Sequence, residues 1–418
     1  MMKRFVFLFF GLWTFIPVFA QTEQQKMEAD PDLAKGIYYI HSFDKGPETP
    51  APKGYKPFVI SHYARHGARY QGGEGDYTRP LEKLREASDA HALNELGESV
   101  YSRLSDYYAL CKNRHGDLTR LGWKQHRKIA AQMYDGYPEI FKHNPEITAS
   151  SSLVMRSVMS MVSFCMSLKE KNPRLDITED ATRVLLDASN PSDKSNPNLA
   201  PYDTIPTPWT ISCRQFRKNR IPEENARAIV ARMFRDSVYL QTHVNVTSLA
   251  SELYNVIIGM DCNESGIRID DLFTPEELLP YYDVLNSYFF EWASIHRNGY
   301  LPILKDMVSR AGEDIRGDRP AVRLRFGHDI NLLAVLTLLQ VERMGIMPDR
   351  PEDICLTWNS WRTPMAATFE LVFYRSRKDP RILFKGILNG EEISIQSLTP
   401  VSGPYYDYED LARYVATL

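Results

Sequence analysis

One short segment of the sequence brings together side chains that suit phosphate chemistry. Arg65-His66-Gly67-Ala68-Arg69 places one imidazole between two guanidinium groups. Arginine matches phosphate oxygens in geometry and in charge, and a neutral imidazole held among arginines has a nitrogen lone pair that could attack phosphorus. Gly67 would let the backbone approach a ligand closely, because glycine has no side chain. The same segment also fits a solvated basic loop whose histidine is incidental.

A second histidine lies near the other end of the chain and is followed directly by a carboxylic acid. His328-Asp329 comes after Gly327 and before an apolar run at 330–341. Taken alone, Asp329 fits an ordinary helix N-cap and His328 a loop residue. Together with the segment at 65–69, the pair completes a set of a nucleophile, cationic groups for oxygen and a proton donor. Phosphoryl transfer without a metal needs these parts.

Both segments follow predicted buried strands, and a third unit of the same kind lies between them in the sequence. Each unit reads as a strand, a loop and a buried helix. The units are residues 58–60 with the polar segment 62–67, residues 146–151 with an apolar helix at 153–168, and residues 322–326 with a helix at 330–341 that stops near Gly345. This repetition predicts an open α/β sheet with helices on its faces. Ligands of such sheets bind at the carboxyl ends of the strands, where both segments fall.

The chain changes character between the second and third units. Residues 190–208 are rich in Pro, Asn and Ser and read as a linker or a long surface loop. We predict an α/β domain formed by residues 21–190 and 311–418, with a mostly helical insertion at 191–310. Helical spacing within the insertion is found at 222–234, 237–260 and 274–311. Closing strands are predicted at 371–374 and 382–387, the latter followed by the hairpin turn Asn389-Gly390.

The overall composition limits the classes of function. The 418 residues are 43% hydrophobic and 25% charged, which is typical of a folded chain with a large core and excludes disorder, collagen and coiled coil. The 50 Lys and Arg against 53 Asp and Glu leave a net charge of −3. No global field therefore attracts nucleic acid or an anionic membrane, so an anion must be bound by a local site and no nucleic-acid partner is expected.

The first twenty residues differ from the rest of the chain. Lys3 and Arg4 form a basic start, an apolar run follows at 5–16, and Pro17 precedes Val18-Phe19-Ala20. This pattern predicts a cleaved secretory signal peptide at 1–20. The run is short of the roughly 18 to 20 residues that a spanning helix needs. No later segment is apolar for long enough to span, so we expect an exported protein, periplasmic or secreted, without a membrane span.

The cysteines and the remaining histidines give no sign of a metal site. The five cysteines include no CxxC pair, and no histidine pair has the HExxH spacing. An odd number leaves at least one thiol unpaired, and Cys165, inside an apolar segment, is predicted to be a core residue. One or two disulfides among the others agree with export. No feature of the sequence predicts an oligomeric state.

Four motifs, in this order along the chain, resemble those of the histidine acid phosphatases, the branch of the histidine phosphatase superfamily that includes the phytases. The Arg-His-Gly-x-Arg block is residues 65–69. Leu-Thr-Arg-Leu-Gly-Trp-Lys-Gln at 118–125 fits the LTxxGxxQ segment, and His328-Asp329 fits the C-terminal pair. Between these lie an Arg, a Ser and a Phe at four-residue intervals, here Arg156, Ser160 and Phe164. The resemblance spans about residues 58–333.

The resemblance implies a fold, a reaction and a role for each matched residue. The fold would be α/β, a doubly wound phosphoglycerate-mutase-like sheet with an inserted mostly α-helical domain. The substrate would be a small-molecule phosphomonoester, and no metal or organic cofactor would be needed. The roles would be attack on phosphorus by His66, binding of the phosphoryl oxygens by Arg65, Arg69, Arg156 and His328, and protonation of the departing alcohol by Asp329.

Two departures from the family pattern leave the subfamily mixed. The family block continues to a proline where this chain has Gln71, so the loop lacks the ring that would fix φ. His328-Asp329-Ile330-Asn331-Leu332 has the form found in bacterial phytases and sugar phosphatases. The preceding residues 324–327 are instead similar to multiple inositol polyphosphate phosphatases, which carry His-Ala-Glu at this point.

Three functions agree with these patterns. The first is an exported phosphatase for inositol phosphates such as phytate, and the second is a broad acid phosphatase or sugar-phosphate phosphatase. The third is a catalytically silent protein that binds a phosphate ligand. The presence of both His66 and Asp329 argues against silence, since a binding protein has no use for a proton donor.

Overall fold

One mixed β-sheet runs through the structure, which is a computed structural model describing residues 23–198 and 206–418. The strands are β1 Tyr55–Arg65, β2 Glu146–Ser151, β3 Ile177–Asp180, β4 Ala321–Gly327, β5 Thr368–Ser376, β6 Leu383–Leu388, β7 Glu391–Ile393 and β8 Tyr406–Asp407. Their order is β3-β2-β4-β1-β5-β6-β7, with β8 beside β6. The pairs from β3 to β1 are parallel and those from β1 to β7 are antiparallel.

Helices account for much of the remaining chain. They are α1 Glu23–Ala29, α2 Gly75–Asp89, α3 Glu95–Cys111, α4 Arg120–Gly136, α5 Pro138–Phe141, α6 Met155–Lys171, α7 Leu186–Ser189, α8 Pro208–Asn219, α9 Glu223–Ala231, α10 Ser237–His243, α11 Val246–Ile257, α12 Pro275–Phe290, α13 Leu301–Ile315, α14 Asp329–Leu338 and α15 Tyr408–Thr417. One turn of π-helix, Glu291–Ile295, continues α12. The predicted signal peptide and residues 199–205 of the predicted linker lie outside the described residues.

Helices cover both faces of the sheet because side chains along a strand alternate between its faces. On β1, Val59 and Tyr63 belong to a core shared with α13, α14 and α15. Ile60 and Ala64 belong to a second core, shared with α4, α5 and α6. The predicted α/β architecture, a central sheet with helices on its faces, is confirmed.

A third hydrophobic core lies beside the sheet and joins helices from two parts of the chain. It packs Leu84 of α2 and Leu104 of α3 against Ile229 of α9 and Leu253 of α11. The first two helices lie between β1 and β2, in a stretch to which the sequence analysis assigned no element. The helical layer therefore draws on residues 75–111 as well as on the later helices.

The sequence predicts an apolar helix at 153–168, whereas the buried side of α6 in the structure is rich in serine. Its small serines are buried, whereas Met155 is 69% exposed. Serine allows α6 to lie close to α4, and the hydroxyls of Ser163 and Ser167 donate hydrogen bonds to carbonyls of α4 at 2.7 and 2.9 Å. The serine face of α6 is therefore the buried one, because it packs closely on α4 and its hydroxyls find hydrogen-bond acceptors there.

Several predicted boundaries shift by a few residues. The polar segment from His62 is not a loop, because β1 continues to Arg65 by pairing with β4 and β5 on its two sides. Helix α14 ends at Leu338 rather than near Gly345, since the chain then turns through residues of positive φ. The predicted hairpin turn at Asn389-Gly390 is present, with φ of 53° and 88°. All five cysteines are free thiols, so the structure contains none of the disulfides that the sequence left possible.

Candidate active site

The two histidine segments meet because they follow adjacent parallel strands. In the pairing of β1 with β4, Arg65 lies opposite Gly327, so the next residues, His66 and His328, leave the sheet side by side. Their ring centroids are 5.6 Å apart. Strand β2 pairs with the other side of β4 and leads into α6, whose second residue is Arg156. The sequence analysis placed both segments at strand ends, and the register brings them into one site.

An open cleft of about 480 Å³ lies above these strand ends. Of the site residues predicted from the sequence, five line it and one does not. The five are His66, Arg69, Arg156, His328 and Asp329. Asp329 is the one carboxylate among the described residues of this lining. Arg65 is fully buried behind the lining and reaches the cleft through its contact with Asp329.

The environment of His66 leaves one ring nitrogen available as a nucleophile. The imidazole is 1% exposed, and its Nδ1–H donates to the carbonyl oxygen of Gly67 at 2.9 Å. This hydrogen bond places the proton on Nδ1 and the lone pair on Nε2. Burial, reinforced by the charges of Arg65 and Arg156, lowers the pKa of His66 well below its ordinary value. The ring is therefore neutral, as an attacking imidazole must be.

Arg65 holds the acidic residue of the site. Its guanidinium lies 2.8 Å from the carboxylate of Asp329 and donates to the carbonyl oxygens of Ile37 and Thr363. These direct contacts fix both the arginine and the carboxylate. From the resemblance, Arg65 is expected to bind phosphoryl oxygens directly. The structure shows that Arg65 also holds Asp329 in place.

Two further arginines present positive charge to the cleft. Arg69 donates to the hydroxyl of Tyr38 at 3.1 Å and lies over the Tyr38 ring. Burial and the nearby charge of Arg69 lower the pKa of Arg156 to about 10. Within the described chain, neither arginine has a carboxylate oxygen within 4.0 Å. An anion placed between them would supply the missing countercharge.

His328 and Asp329 sit where β4 passes into α14. Asp329 is the first residue of the helix and His328 is its N-cap. The interpretation of Asp329 as an N-cap residue is therefore wrong. The carboxylate of Asp329 accepts the backbone N–H of Ile330 and pairs with Arg65. Burial alone would raise the pKa of Asp329, but the positive charges of Arg65 and Arg69 outweigh it and hold this pKa below its ordinary value. Burial, together with Arg156, lowers the pKa of His328 to about 4.

Residues of the two middle motifs hold the loop that carries His66 and Arg69. Gln125, the last residue of the LTxxGxxQ motif, accepts the backbone N–H of Ala68 at 2.9 Å. Ser160 of α6 accepts the backbone N–H of Gly67 at 3.0 Å. Each motif thus satisfies a buried backbone donor that would otherwise be unpaired.

Gly67 and Gly122 allow this loop to lie directly against α4. A Cβ on Gly67 would come within 2.4 Å of the carbonyl oxygen of Gly122, and a Cβ on Gly122 within 2.3 Å of that of Ala68. Neither position can accept a side chain without moving the backbone. The close approach that Gly67 permits in this structure is to α4, a role that the sequence did not predict.

Gln71, which stands in place of the family's proline, fixes the loop by hydrogen bonds. Its backbone N–H donates to the hydroxyl of Tyr77 at 2.7 Å, and its carbonyl accepts the N–H of Gly116 at 2.8 Å. Its side-chain amide donates to the carbonyl oxygen of Asn255 in α11. The side chain is buried. The loop that the sequence suggested to be less rigid is thus attached to the helical layer.

We expect Gln71→Ala to lower kcat by about tenfold, because small displacements of a positioned group are costly. The variant leaves the carbonyl of Asn255 without its partner and loosens the loop that carries Arg69. Steady-state kinetics and thermal unfolding measure the two effects. Gln215→Ala, on the exposed surface of α8, is the matched control. A Gln71→Ala enzyme that unfolds earlier but turns over at the wild-type rate would show that Gln71 has no part in positioning.

The sequence analysis missed most of the remaining cleft. Its lining also includes Tyr38, Asn190, Trp292 and Tyr300. These residues come from three distant segments of the chain and belong to no motif. Among the described residues, no cluster of three or more His, Cys, Asp or Glu side chains is placed to hold a metal ion. In the same residues, no helix is both long and apolar enough to cross a membrane.

Solved structures share this fold at low sequence identity. The Bifidobacterium longum multiple inositol polyphosphate phosphatase in complex with phosphate has a TM-score of 0.75 and 16% identity, over 92% of this chain and 97% of the other. The phytase from D. castellii has a TM-score of 0.66 and 17% identity, over 93% and 84%. The apo Hafnia alvei phytase has a TM-score of 0.55 and 13% identity, over 88% and 98%. No curated protein matches the chain by sequence.

A family model covers most of the chain and includes every residue of the predicted site. The model of the histidine phosphatase superfamily (branch 2) matches residues 63–389. The matched range begins inside β1 and ends after β6, so it contains the strand ends that form the cleft. The chain therefore belongs to branch 2 of the histidine phosphatase superfamily and is a phosphomonoesterase.

Proposed function

We propose that this enzyme is exported and hydrolyses inositol phosphates through a phosphohistidine on His66, with Asp329 as the proton donor. The observation that carries the proposal is a neutral, buried imidazole whose Nδ1–H is engaged with Gly67 and whose Nε2 is left for attack. Two arginines that have no carboxylate partner among the described residues lie in the same cleft. Inositol phosphates are proposed as substrates because a multiple inositol polyphosphate phosphatase and a phytase share the fold.

The first half-reaction transfers the phosphoryl group to the enzyme. The Nε2 lone pair of His66 forms a bond to phosphorus as the bond to the substrate oxygen breaks. Arg69 and Arg156 bind the oxygens that carry the developing charge. Asp329 delivers its proton to the departing alkoxide, which leaves as an alcohol. The hydrogen bond from Nδ1 to Gly67 stabilises the positive charge that the imidazole gains.

The second half-reaction returns the enzyme to its starting state. Asp329, now a carboxylate beside Arg65, accepts a proton from water. The hydroxide that results attacks phosphorus, and the bond between phosphorus and Nε2 breaks. Inorganic phosphate leaves, His66 is neutral again and Asp329 is protonated, a proton that the free enzyme keeps only at acidic pH. All protons are accounted for by substrate, water and these two side chains.

Phosphate release tests the proposed reaction and its substrates. We expect release from inositol 1-phosphate and 4-nitrophenyl phosphate, with the activity found in the periplasm or medium of expressing cells. Glucose 1-phosphate and phytate complete the panel. A higher kcat/KM for glucose 1-phosphate than for any inositol phosphate would instead support the sugar-phosphate phosphatase. Activity retained in the cytoplasm on an uncleaved chain would overturn the proposed export.

A further inference from the structure

One wall of the cleft is aromatic rather than cationic. Leu285, Tyr288, Phe289 and Trp292 all line it. Their spacing of three, four and seven residues from the first places them on one side of α12 and the π-turn that follows it. Tyr288 is 49% exposed, which is high for such a large ring on the side of a helix that faces a cleft. The side chains form a surface that a ligand can cover.

The aromatic wall is anchored at its π-turn. Glu291, the first residue of this turn, has only 5% of its side chain exposed and pairs with Arg217 of α8 at 2.6 Å. A π-turn is rare in proteins and is frequently found at functional sites. The buried ion pair therefore holds an uncommon backbone turn directly beside Trp292. This fixed position gives the wall a defined shape.

The permanent positive charge of the cleft is small. Among the described residues that line it, the arginines are Arg69 and Arg156, and no lysine is present. The negative charge of Asp329 is balanced by Arg65 directly behind the lining, and burial leaves the two histidines neutral. The undescribed residues 199–205 contain no Lys, Arg or His. The cleft alone can therefore neutralise about one phosphate group, whose charge is roughly −1.5 to −2.

The neighbouring cavity adds one cation at most. It shares Arg156 with the cleft and is also lined by Arg114 and Arg120. Arg114 is already paired with Asp117 at 3.0 Å, whereas Arg120 is exposed and has no carboxylate within 4.0 Å in the described chain. A hexakisphosphate would hold several phosphates against aromatic rings, and an unpaired anion beside apolar surface is costly.

We infer that the preferred substrates are lower inositol phosphates, whose ring carbons pack on the wall formed by Leu285, Tyr288, Phe289 and Trp292 while one phosphate lies between Arg69 and Arg156. This inference rests on the proposed function and narrows it. The C–H groups of the inositol ring give its faces an apolar character, whereas the hydroxyls lie mainly around its edge. Each added phosphate leaves these C–H groups in place but adds bulk and charge around the ring that the wall does not neutralise.

Kinetics of the full chain on three substrates test the inference. For the wild type, we expect kcat/KM for inositol 1-phosphate to exceed that for phytate by about tenfold or more. In Trp292→Ala, KM for inositol 1-phosphate should rise about tenfold more than KM for glycerol 3-phosphate, which has no ring to lose contact. Tyr288→Ala should act in the same direction. Because Tyr288 is 49% exposed, its truncation leaves the core intact and provides a second test if Trp292→Ala folds poorly.

Phe216→Ala is the matched control, since Phe216 is a half-buried aromatic of α8 that lines a different cavity. It should change KM for the ring and acyclic substrates by the same factor. Preference of the wild type for phytate, or equal changes for both substrates in Trp292→Ala and Tyr288→Ala, would overturn the inference while phosphate release continued. Absence of phosphate release from every monoester would instead overturn the proposed function.

Discussion

Replacing His66 by alanine is expected to abolish turnover of every phosphate monoester while the protein stays folded. In the proposed mechanism the imidazole supplies the Nε2 that attacks phosphorus, and no other histidine of the cleft lies at the end of β1. Loss of a covalent nucleophile lowers kcat by about 10⁴-fold or more in enzymes of this kind of mechanism. The measurements are kcat on 4-nitrophenyl phosphate and inositol 1-phosphate, with thermal unfolding as the check on folding.

His126→Ala separates the loss of a nucleophile from the loss of a buried ring. His126 is 0% exposed, packs against Phe164 and Phe326, and lies outside the cleft. This variant should unfold at a lower temperature yet keep its turnover per folded molecule. Wild-type enzyme quenched during turnover should also carry an acid-labile phosphate on His66, and His66→Ala should carry none. Substantial activity in a folded His66→Ala protein would rule out the phosphohistidine mechanism.

The position of His66 beside His328 could be predicted from the sequence because it depends on local pattern and on one general rule. Each segment follows a run of buried strand residues, and ligands collect at the carboxyl ends of parallel strands. What the sequence could not supply was the register, which places Arg65 opposite Gly327 and so sets the 5.6 Å between the two rings. Register is decided by packing across the whole sheet.

Other features were missed because they arise between distant segments. The burial of serines in α6 depends on how close α4 lies, and the close contact of Gly67 depends on Gly122. Neither relation leaves a periodic signal in either segment alone. Likewise, Trp292 lies in a segment whose apolar spacing predicts only a helix. The fold is needed to show that the side of this helix that carries Trp292 faces the cleft. The chemistry at the strand ends was thus more predictable than the walls around it.

The second large effect is expected for Asp329→Asn, and it should depend on the leaving group. Asparagine can still accept the N–H of Ile330 but cannot deliver a proton. Hydrolysis of alkyl phosphates such as inositol 1-phosphate should slow by about 10²- to 10⁴-fold, the usual size of general acid catalysis. Aryl phosphates should lose far less, since a phenolate leaves without protonation. The ratio of the two losses, measured as kcat/KM on both substrates, is the diagnostic quantity.

Stability needs a separate control, because Asp329→Asn also removes the partner of the fully buried Arg65. Breaking a buried ion pair from one side costs about 3 to 5 kcal/mol. Asp314→Asn is the matched variant, since the Asp314 carboxylate is 8% exposed and pairs with Arg323, and neither residue lines the cleft. It should destabilise the fold without any dependence of activity on the leaving group.

The pH dependence gives Asp329 a second signature. Its pKa is held below the ordinary value, so the free enzyme carries the catalytic proton only at acidic pH. For alkyl phosphates, kcat/KM should therefore fall as pH rises, and Asp329→Asn should lose this limb of the profile. The ion pair with Arg65 shows the opposite trend: its contribution to stability is present above the unfolded pKa and is lost as pH falls through the folded pKa.

The protonation that favours activity and the ion pair that favours stability both depend on Asp329, so the two pH effects oppose each other at this residue. The proton that the proposed mechanism requires on Asp329 is also the one that weakens its pair with Arg65, so the free enzyme disfavours this protonation. A bound phosphate brings negative charge beside Arg65, Arg69 and Arg156, and that charge raises the pKa of the neighbouring carboxyl. Substrate binding would thus supply the protonated acid. Equal, small losses on alkyl and aryl phosphates in Asp329→Asn would exclude this role and leave His328 or water as the proton source, since Asp329 is the one carboxylate in the described lining of the cleft.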